Sequence, residues 1–315
     1  MKKDNHKDNH LFGPVPSRRL GMSLGVDMVP FKTCTLNCVY CECGKTTELT
    51  AERKEYIPAQ ALINELDARL STAPHLDVIT FAGSGEPTLS TALSAVVNHV
   101  RTTYPQYKTA ILTNSTLLHI REVRNTLMHI DYVLPSLDAV SQQTFEKINR
   151  PVATVSSTTV ITGLIAFAKE YTGTLWVELF IVPGINDTNE ELSLIKSVLE
   201  EIHPTRVQIN TLDRPAPCEW VQPASQKQLS HIARFLLPLP VEIISRNATA
   251  DPSIVNNTAT LENLYAILKR RPMTIEDVAV AMQKNINEIF SLLDELKKNY
   301  SLIAEKVGDK TFYRL

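Results

Sequence analysis

Cysteine is scarce in this sequence and is nearly confined to one short stretch. Of the five cysteines in 315 residues, four lie in "TCTLNCVYCECG" (33–44) and the fifth is Cys218. Four crowded cysteines and one distant cysteine do not make a disulfide framework. They indicate metal ligands or reactive thiols, as expected for a chain in a reducing compartment.

Long apolar runs and an excess of charge of one sign are also lacking. No run approaches the roughly 20 apolar residues that span a bilayer, and the opening "MKKDNHKDNH" lacks the apolar core of a secretory signal. The formal net charge of -2 predicts no general attraction to nucleic acid or anionic membranes. These absences predict a cytoplasmic protein with no membrane association.

Short apolar segments rich in β-branched residues alternate with amphipathic helices over most of the chain. Strands are predicted near "SLGVDMV" and at 76–83, 109–115, 131–139, 175–184, 206–213 and 241–245. Strands that alternate with helices predict βα units, and continuous apolar character suits a parallel sheet covered on both faces. The fold class is therefore α/β, with a partial (β/α)6 TIM-type barrel preferred and an open doubly wound sheet as the alternative.

The pattern changes near the C-terminus. Small and polar residues in "ATADPSIVNNTAT" indicate a linker, followed by three predicted helices, with Thr274 as the N-cap of the second, and a hairpin turning at "GDK". This order predicts a small C-terminal winged-helix domain. The predicted organisation is an N-terminal extension (1–21), the partial barrel (22–247), a linker (248–259) and a winged helix-turn-helix-like domain (260–315).

A winged helix often binds DNA, but the charges here argue against that role. Residues 258–315 carry nine basic and eight acidic side chains. Such balance leaves no strong footprint for phosphates, so DNA binding is not expected. Protein binding or packing on the barrel is the expected role.

The cysteine spacing is C-x3-C-x2-C, formed by Cys34, Cys38 and Cys41, with Tyr40 before the third thiol. A cubane iron-sulfur cluster usually has four thiolate ligands, so three would leave one iron open for a substrate or cofactor. Structural zinc with Cys43 as a fourth ligand is the alternative, although no second pair of cysteines or histidines follows downstream. Cys43 is otherwise a spare thiol beside the cluster.

This motif resembles the cluster motif of radical S-adenosylmethionine (SAM) enzymes, and it follows the first predicted strand as it does in that family. The resemblance implies a [4Fe-4S] cluster on the three cysteines, SAM bound to the open iron, and a 5′-deoxyadenosyl radical that abstracts hydrogen from a substrate. "GSGEPTL" resembles the family's Gly-Gly-Glu segment, which implies that Ser84, Gly85 and Glu86 meet the SAM amino group. The alternative is a plain strand-to-helix turn.

Two further strand ends carry polar residues. "LTNST" places Asn114 at the carboxyl end of a strand, where barrel sites form. In "PSLDA", Ser136 and Asp138 resemble positions that contact the ribose or methionine part of SAM. The alternative for Asp138 is the N-cap of the helix "AVSQQTFEKI".

"ELFIVPGIND" resembles a strand of glycyl-radical-enzyme activases but departs from it at one position. Where those proteins carry an arginine that meets the SAM carboxylate, this sequence has Glu178. Two carboxylates repel each other, so Arg150, Arg18 or Arg19 would have to supply the cation. Otherwise Glu178 faces the SAM ammonium or the substrate.

The opening "FGPVPSRRLGMSLGVD" resembles a subgroup related to the wyosine-forming tRNA enzymes. Its paired arginines, Arg18 and Arg19, suit an anionic group, and solvated surface charge is the alternative. Cys218 lies on a predicted loop at the active face, where a thiol would donate hydrogen or bind substrate; plain burial is the alternative.

The leading function is a radical SAM enzyme acting on RNA, a protein or a small molecule, served by a reducing partner such as ferredoxin or flavodoxin. RNA modification is suggested by the subgroup, and maturation of a protein partner is the second substrate class. An iron-sulfur sensor with a DNA- or protein-binding winged helix is the alternative, but it leaves the polar strand ends without a role.

Overall fold

The structure is a computed structural model that describes residues 10–244, 261–282, 284–307 and 309–315. The predicted linker at 248–259 lies outside the described residues, as do residues 1–9 of the predicted N-terminal extension and residue 308 in the predicted hairpin turn. The boundaries of the predicted domains stay predictions.

Strands and helices alternate through most of the described chain. The strands are β1 (Leu11–Ser17), β2 (Gly21–Val26), β3 (Thr33–Cys34), β4 (Glu48–Leu49), β5 (Val78–Phe81), β6 (Lys108–Thr113), β7 (Tyr132–Pro135), β8 (Thr174–Ile181), β9 (Arg206–Thr211), β10 (Val241–Ile243), β11 (Ile303–Val307) and β12 (Lys310–Arg314). The helices are α1 (Ala59–Leu70), α2 (Leu93–Thr103), α3 (Arg121–Leu127), α4 (Gln142–Ile148), α5 (Ser157–Glu170), α6 (Asn189–Ile202), α7 (Gln226–Phe235), α8 (Leu261–Arg270), α9 (Ile275–Met282) and α10 (Ile286–Asn299), with a 3-10 turn at Pro87–Leu89.

Eight strands form the main sheet in the order β1-β2-β5-β6-β7-β8-β9-β10. From β2 to β10 all neighbours are parallel, whereas β1 pairs antiparallel with β2. Each connection between successive parallel strands contains a helix. The predicted α/β fold with a parallel sheet is therefore confirmed. The doubly wound alternative is wrong, because such a sheet reverses its strand order at a switch point and this one runs in sequence order without reversal.

The two faces of the sheet differ in polarity because successive side chains of a strand point to opposite sides. Val26, Ile79 and Phe81 are buried in the main apolar core with the helices. On the other face, the hydroxyl groups of Ser23 and Thr80 are hydrogen-bonded at 2.7 Å. The inner face thus carries polar groups that the apolar runs of the sequence did not predict.

The C-terminal unit, defined here as the described residues from 261 to 315, has its own core. Helices α8, α9 and α10 are followed by the antiparallel pair β11–β12, and Val15 of β1 lies in the same buried cluster. The Thr274 hydroxyl accepts a hydrogen bond from the Asp277 amide at 3.2 Å, as predicted for an N-cap. This element order matches the expectation, while identity as a winged helix stays a prediction. Nowhere in the described residues does a helix have the length and apolar character to cross a membrane.

Candidate functional site

The cysteine loop, residues 32–44, lies at the carboxyl edge of the parallel sheet. Its backbone is tied to the end of α4, since the Asn37 amide donates to the Asn149 carbonyl at 3.0 Å and the Val39 amide donates to the Ile148 carbonyl at 2.9 Å. Residues of β3 pair with β4 in parallel register. Backbone hydrogen bonds therefore hold the loop at its start and in its middle.

Cys34 and Cys38 each face the side-chain amide of an asparagine. Nδ2 of Asn114 lies 3.4 Å from the Sγ of Cys34, and Nδ2 of Asn149 lies 3.4 Å from the Sγ of Cys38. Burial raises the pKa of Cys34 to about 12 and raises the pKa of Cys38 well above its usual value. Without a metal both thiols are neutral, and the deprotonation that ligation requires would come from the metal's own charge.

Cys41 has different surroundings. The neighbouring Cys43 thiol, together with the Lys32 ammonium at 2.9 Å, lowers the pKa of Cys41. The Sγ of Cys43 also lies 3.8 Å from the carbonyl oxygen of Gly83. The lowered pKa favours the thiolate form of Cys41. Cys43 lies beside Cys41, where the sequence analysis predicted a spare thiol.

The donor set fits an iron-sulfur cluster. Three thiols in one loop, each next to an N–H donor, match the thiolate ligands and the hydrogen bonds to sulfur that such clusters use. Among the described residues, no three His, Cys, Asp or Glu side chains converge closely enough to hold a single metal ion. Thiolates on separate irons of one cluster need no such convergence.

The loop after β5 packs directly on the cysteine loop. The Lys32 amide donates to the Ser84 carbonyl at 3.0 Å, and the Ser84 amide lies 3.2 Å from Oδ1 of Asp27. A Cβ on Gly85 would lie 2.2 Å from the carbonyl oxygen of Thr33, so the two loops can approach this closely only with glycine there. Ser84 and Gly85, both predicted to meet SAM, are therefore adjacent to the cysteines.

Glu86 is buried and bonded on every side by protein groups. Its carboxylate accepts hydrogen bonds from the Thr88 amide at 3.1 Å, the Thr113 hydroxyl at 2.7 Å and the Asn114 amide at 2.7 Å. Burial raises its pKa. The side chain caps the 3-10 turn and ties β5 to the end of β6, so it organises the site from within.

Asp138 holds the central part of the site together. Its carboxylate accepts hydrogen bonds from the Tyr40 hydroxyl, from Nδ2 of Asn149 at 2.8 Å and from the Phe180 amide at 3.0 Å. Burial raises its pKa to about 6. The alternative prediction for Asp138 is wrong, because Ser141 is the N-cap of α4 and this helix begins later than expected.

Tyr40 is consequently fixed at both of its ends. Its hydroxyl group donates to Asp138, and its ring stacks on Phe180 with ring centroids 3.8 Å apart. Tyr40, just before Cys41, thus anchors the cysteine loop to β8. Sequence reasoning found Tyr40 and Asp138 separately but had no signal that they touch.

Ser136 and Glu178 are brought together by an isolated parallel bridge between the segments after β7 and within β8. The Ser136 carbonyl accepts from the Ser115 hydroxyl at 2.7 Å. The Glu178 carboxylate forms an ion pair with Arg19, and Nη1 of Arg19 also lies 3.5 Å from Oε1 of Gln208. Glu178 therefore already has a cationic partner from the segment before β2.

The arginines considered as partners for the SAM carboxylate contact protein groups: Arg19 meets Glu178, Arg18 meets Asp213 at 3.4 Å, and Arg150 Nη1 lies 3.5 Å from Cys218. Cys218 lies between β9 and α7, partly buried against the cluster that includes Cys34, Cys38 and Tyr40. The structure thus brings Cys218 to the wall beside the cysteine loop.

The fold and this edge define a class of protein: a sequentially wound parallel sheet with three thiols at its carboxyl edge. The sequence model described as the Radical SAM superfamily matches residues 28–195, more than half of the chain. The chain belongs to the radical SAM superfamily. Membership implies SAM and an iron-sulfur cluster as cofactors and supports an enzyme.

Relatives that match nearly the whole of this chain extend the similarity beyond the superfamily model. A "UPF0026 protein" of Helicobacter pylori (strain ATCC 700392 / 26695) is 32% identical over 306 residues, which cover 96% of this chain and 96% of that protein. A protein of Brachyspira hyodysenteriae named "GTPase Obg" is 32% identical over 316 residues. That match covers 99% of this chain, but this chain spans only 46% of the length of the Brachyspira protein.

Solved structures share the fold. A radical SAM methyltransferase from Sphaerobacter thermophilus aligns with a TM-score of 0.56 and 16% identity over 70% of this chain and 65% of that one. TYW1 with a lysine-pyruvate adduct bound aligns with a TM-score of 0.51 and 14% identity over 71% of this chain and 75% of that one. At this level of identity the likeness speaks for the fold alone.

Proposed function

We propose that this chain is an enzyme that binds a [4Fe-4S] cluster through Cys34, Cys38 and Cys41 and cleaves SAM reductively. When bound, the cluster and SAM supply a 5′-deoxyadenosyl radical for hydrogen abstraction. The observation that carries the proposal is the set of three thiols at the carboxyl edge of the sheet, each beside its own N–H donor. Their spacing is the one that the superfamily uses.

The residues around the thiols would set the charge of the site. N–H donors from Asn114 and Asn149 and the ammonium of Lys32 stabilise negative charge on sulfur. Such groups tune the reduction potential of a cluster. They also orient the three thiols before any metal arrives.

The neighbouring loops would bind and orient SAM. The backbone of Ser84 and Gly85 lies against the cysteine loop, and Ser136 follows β7, two strands along the sheet from β5. Glu86 and Asp138 act differently from the simple expectation of direct contact, because both carboxylates are already bonded within the protein. In this proposal they position the loops that meet SAM, and Tyr40 transmits the position of Asp138 to the cysteine loop.

Cys218 is proposed to line the substrate side of the site. Its thiol packs against the same apolar cluster as Cys34 and Cys38, and in this proposal it donates hydrogen to a substrate radical or holds a substrate. The substrate class follows the sequence resemblance: RNA modification first, with maturation of a protein partner second and a small molecule third.

The C-terminal unit is proposed to be a winged helix that packs on the barrel and recognises a protein or substrate. Its contacts with β1 support the packing role. Reductive cleavage also needs an electron, so a reducing partner such as ferredoxin or flavodoxin belongs to the proposal.

The test is formation of 5′-deoxyadenosine. The full chain is purified without oxygen, reconstituted with iron and sulfide, reduced, mixed with SAM and analysed by mass spectrometry. We expect slow formation that is absent in Cys38→Ala. A well-loaded cluster that never cleaves SAM would favour the iron-sulfur sensor, and bound zinc in place of iron would refute the proposed cofactor.

A further inference from the structure

Arginines from three distant parts of the chain meet beside the cysteine loop. Arg18 follows β1, Arg214 follows β9, and Arg271 follows α8 of the C-terminal unit. Nη1 of Arg214 donates to the Pro272 carbonyl oxygen at 2.5 Å. Because Pro272 directly follows Arg271, this hydrogen bond places the Arg214 guanidinium near the backbone of Arg271. The charges of Arg214 and Arg18 both act on Arg271. The junction therefore joins the β1–β2 hairpin, the barrel and the C-terminal unit.

Two of these arginines are neutralised within the protein. Nη1 of Arg18 lies 3.4 Å from Oδ2 of Asp213. Nε of Arg214 lies 3.1 Å from Oε2 of Glu42, and its Nη1 lies 3.4 Å from Oδ2 of Asp277. Their ion pairs hold both guanidinium groups in place.

Arg271 differs from the other two. Across the ranges that the structure describes, its guanidinium makes no ion pair and no side-chain hydrogen bond. Burial, with a contribution from the positive charge of Arg214, lowers the pKa of Arg271 to about 10, yet the side chain keeps partial contact with solvent. It remains charged near neutral pH, and a recessed charge with no direct ion pair is costly, even with Glu42 within electrostatic range. Such a group is matched by an anion that enters from solvent.

We infer that Arg271 binds an oxyanion group of the substrate, either a phosphate or a carboxylate. The planar fork of an arginine holds such groups with two parallel hydrogen bonds. Glu42 and Cys43 lie within electrostatic range of Arg271, so the subsite adjoins the loop that carries Cys41. Assignment of the bound group to the substrate rests on the proposed function.

The fold holds this subsite in a fixed position. Arg270, the neighbour of Arg271, donates from Nε to Oδ2 of Asp27 at 2.7 Å, and Oδ1 of Asp27 accepts from the Ser84 amide. The end of α8 is thereby attached to the loop next to the cysteines. A preorganised arginine loses less entropy when it binds an anion, which gives the C-terminal unit a role in substrate recognition.

The test measures the thermal unfolding midpoint of the cluster-reconstituted full chain. Sodium phosphate and sodium acetate are titrated separately, against sodium chloride at equal ionic strength, with and without saturating SAM. We expect at least one of the two anions to raise the midpoint by about 2–4 °C beyond chloride in both conditions. The anion with the larger effect identifies the chemical group.

Variants separate the site from general charge effects. Arg271→Gln is expected to lose the response, whereas Lys269→Gln, which removes an exposed charge two residues away in α8, keeps it. Arg271→Lys keeps the charge but lacks the fork, and its apparent affinity for the anion should fall by about tenfold.

Three results would overturn the inference. The first is no response beyond chloride, and the second is an equal response in Arg271→Gln. The third is a response that disappears when SAM is present, because the group bound there would then be the SAM carboxylate. Formation of 5′-deoxyadenosine, measured on the same preparations, tests the proposed function separately.

Discussion

The carboxyl edge of the parallel sheet, called the barrel edge here, and the C-terminal unit bury different kinds of side chain. At the barrel edge, the carboxylates of Glu86 and Asp138 are buried and each accepts several protein hydrogen bonds. In the C-terminal unit, the buried residues are almost all apolar, with Thr274 as a polar exception among the residues described there.

This difference assigns separate tasks to the two regions. Buried polar groups are costly unless fully bonded, and fully bonded networks fix side chains in single positions. The bonded networks at the barrel edge suit the placement of the proposed cofactor ligands, whereas the C-terminal unit has an interior of mainly apolar packing. It reaches the site through Arg270 and Arg271 at the end of α8.

The largest effect is expected from loss of a thiol at the barrel edge. Cys38→Ala removes one of three proposed ligands, so iron content after reconstitution should fall to background and SAM cleavage should cease. Cys218→Ala is the matched control, because this thiol lies in the same apolar cluster and is not a proposed ligand. Full iron content in Cys38→Ala would contradict the ligand assignment. Full activity of Cys218→Ala on the true substrate would remove its proposed role.

Loss of a buried carboxylate should come next. Asp138→Ala leaves the Tyr40 hydroxyl, the Asn149 amide and the Phe180 amide without an acceptor. We expect a loss of about 3 kcal/mol in the free energy of unfolding, measured in urea. Asp294→Ala, an exposed acid on α10, should change it by less than about 0.5 kcal/mol. Equal losses of unfolding free energy in Asp138→Ala and Asp294→Ala would contradict the difference proposed between the two regions.

The contact between the two regions should have an intermediate effect. Arg270→Gln removes the partner of Asp27 and should cost about 2 kcal/mol. Burial raises the pKa of Asp27, so this carboxyl is neutral in acid and needs the arginine once it ionises. The destabilisation should therefore grow as pH rises from acid to neutral. A loss independent of pH, or one matched by Lys269→Gln, would argue against this ion pair.

The smallest effect is expected from the surface charges of α10. Replacing Lys297 and Lys298 together by glutamine should leave binding to duplex DNA unchanged, because the full chain should show only weak, non-specific binding at physiological salt. A fluorescence anisotropy titration measures this. If the full chain binds DNA tightly and the double variant weakens that binding, the C-terminal unit binds DNA, and the iron-sulfur sensor becomes the favoured function.

Local sequence patterns were enough to predict the parallel sheet and the edge at which polar residues gather. Apolar runs located the parallel strands, and strand ends followed by polar residues located Asn114, Ser136 and Asp138 near one edge. Carboxyl ends of successive parallel strands meet at that edge, so this prediction follows from topology alone.

Contacts between distant residues could not be predicted in the same way. Asn149 reaches Cys38 across 111 positions, and Arg19 reaches Glu178 across 159 positions. No periodicity or spacing encodes such pairs. The start of α4 was also misplaced, because Asp138 is occupied by tertiary hydrogen bonds and Ser141 takes the cap instead.

The most direct test of the central claim is an electron paramagnetic resonance titration of the reduced, cluster-loaded full chain with SAM. Wild type and Cys43→Ala are compared. If Cys34, Cys38 and Cys41 are the ligands, both proteins should hold the cluster, and SAM should change the spectrum of both through the iron that lacks a thiolate. A spectrum that SAM leaves unchanged, or a cluster lost in Cys43→Ala, would contradict a three-cysteine site with one open iron.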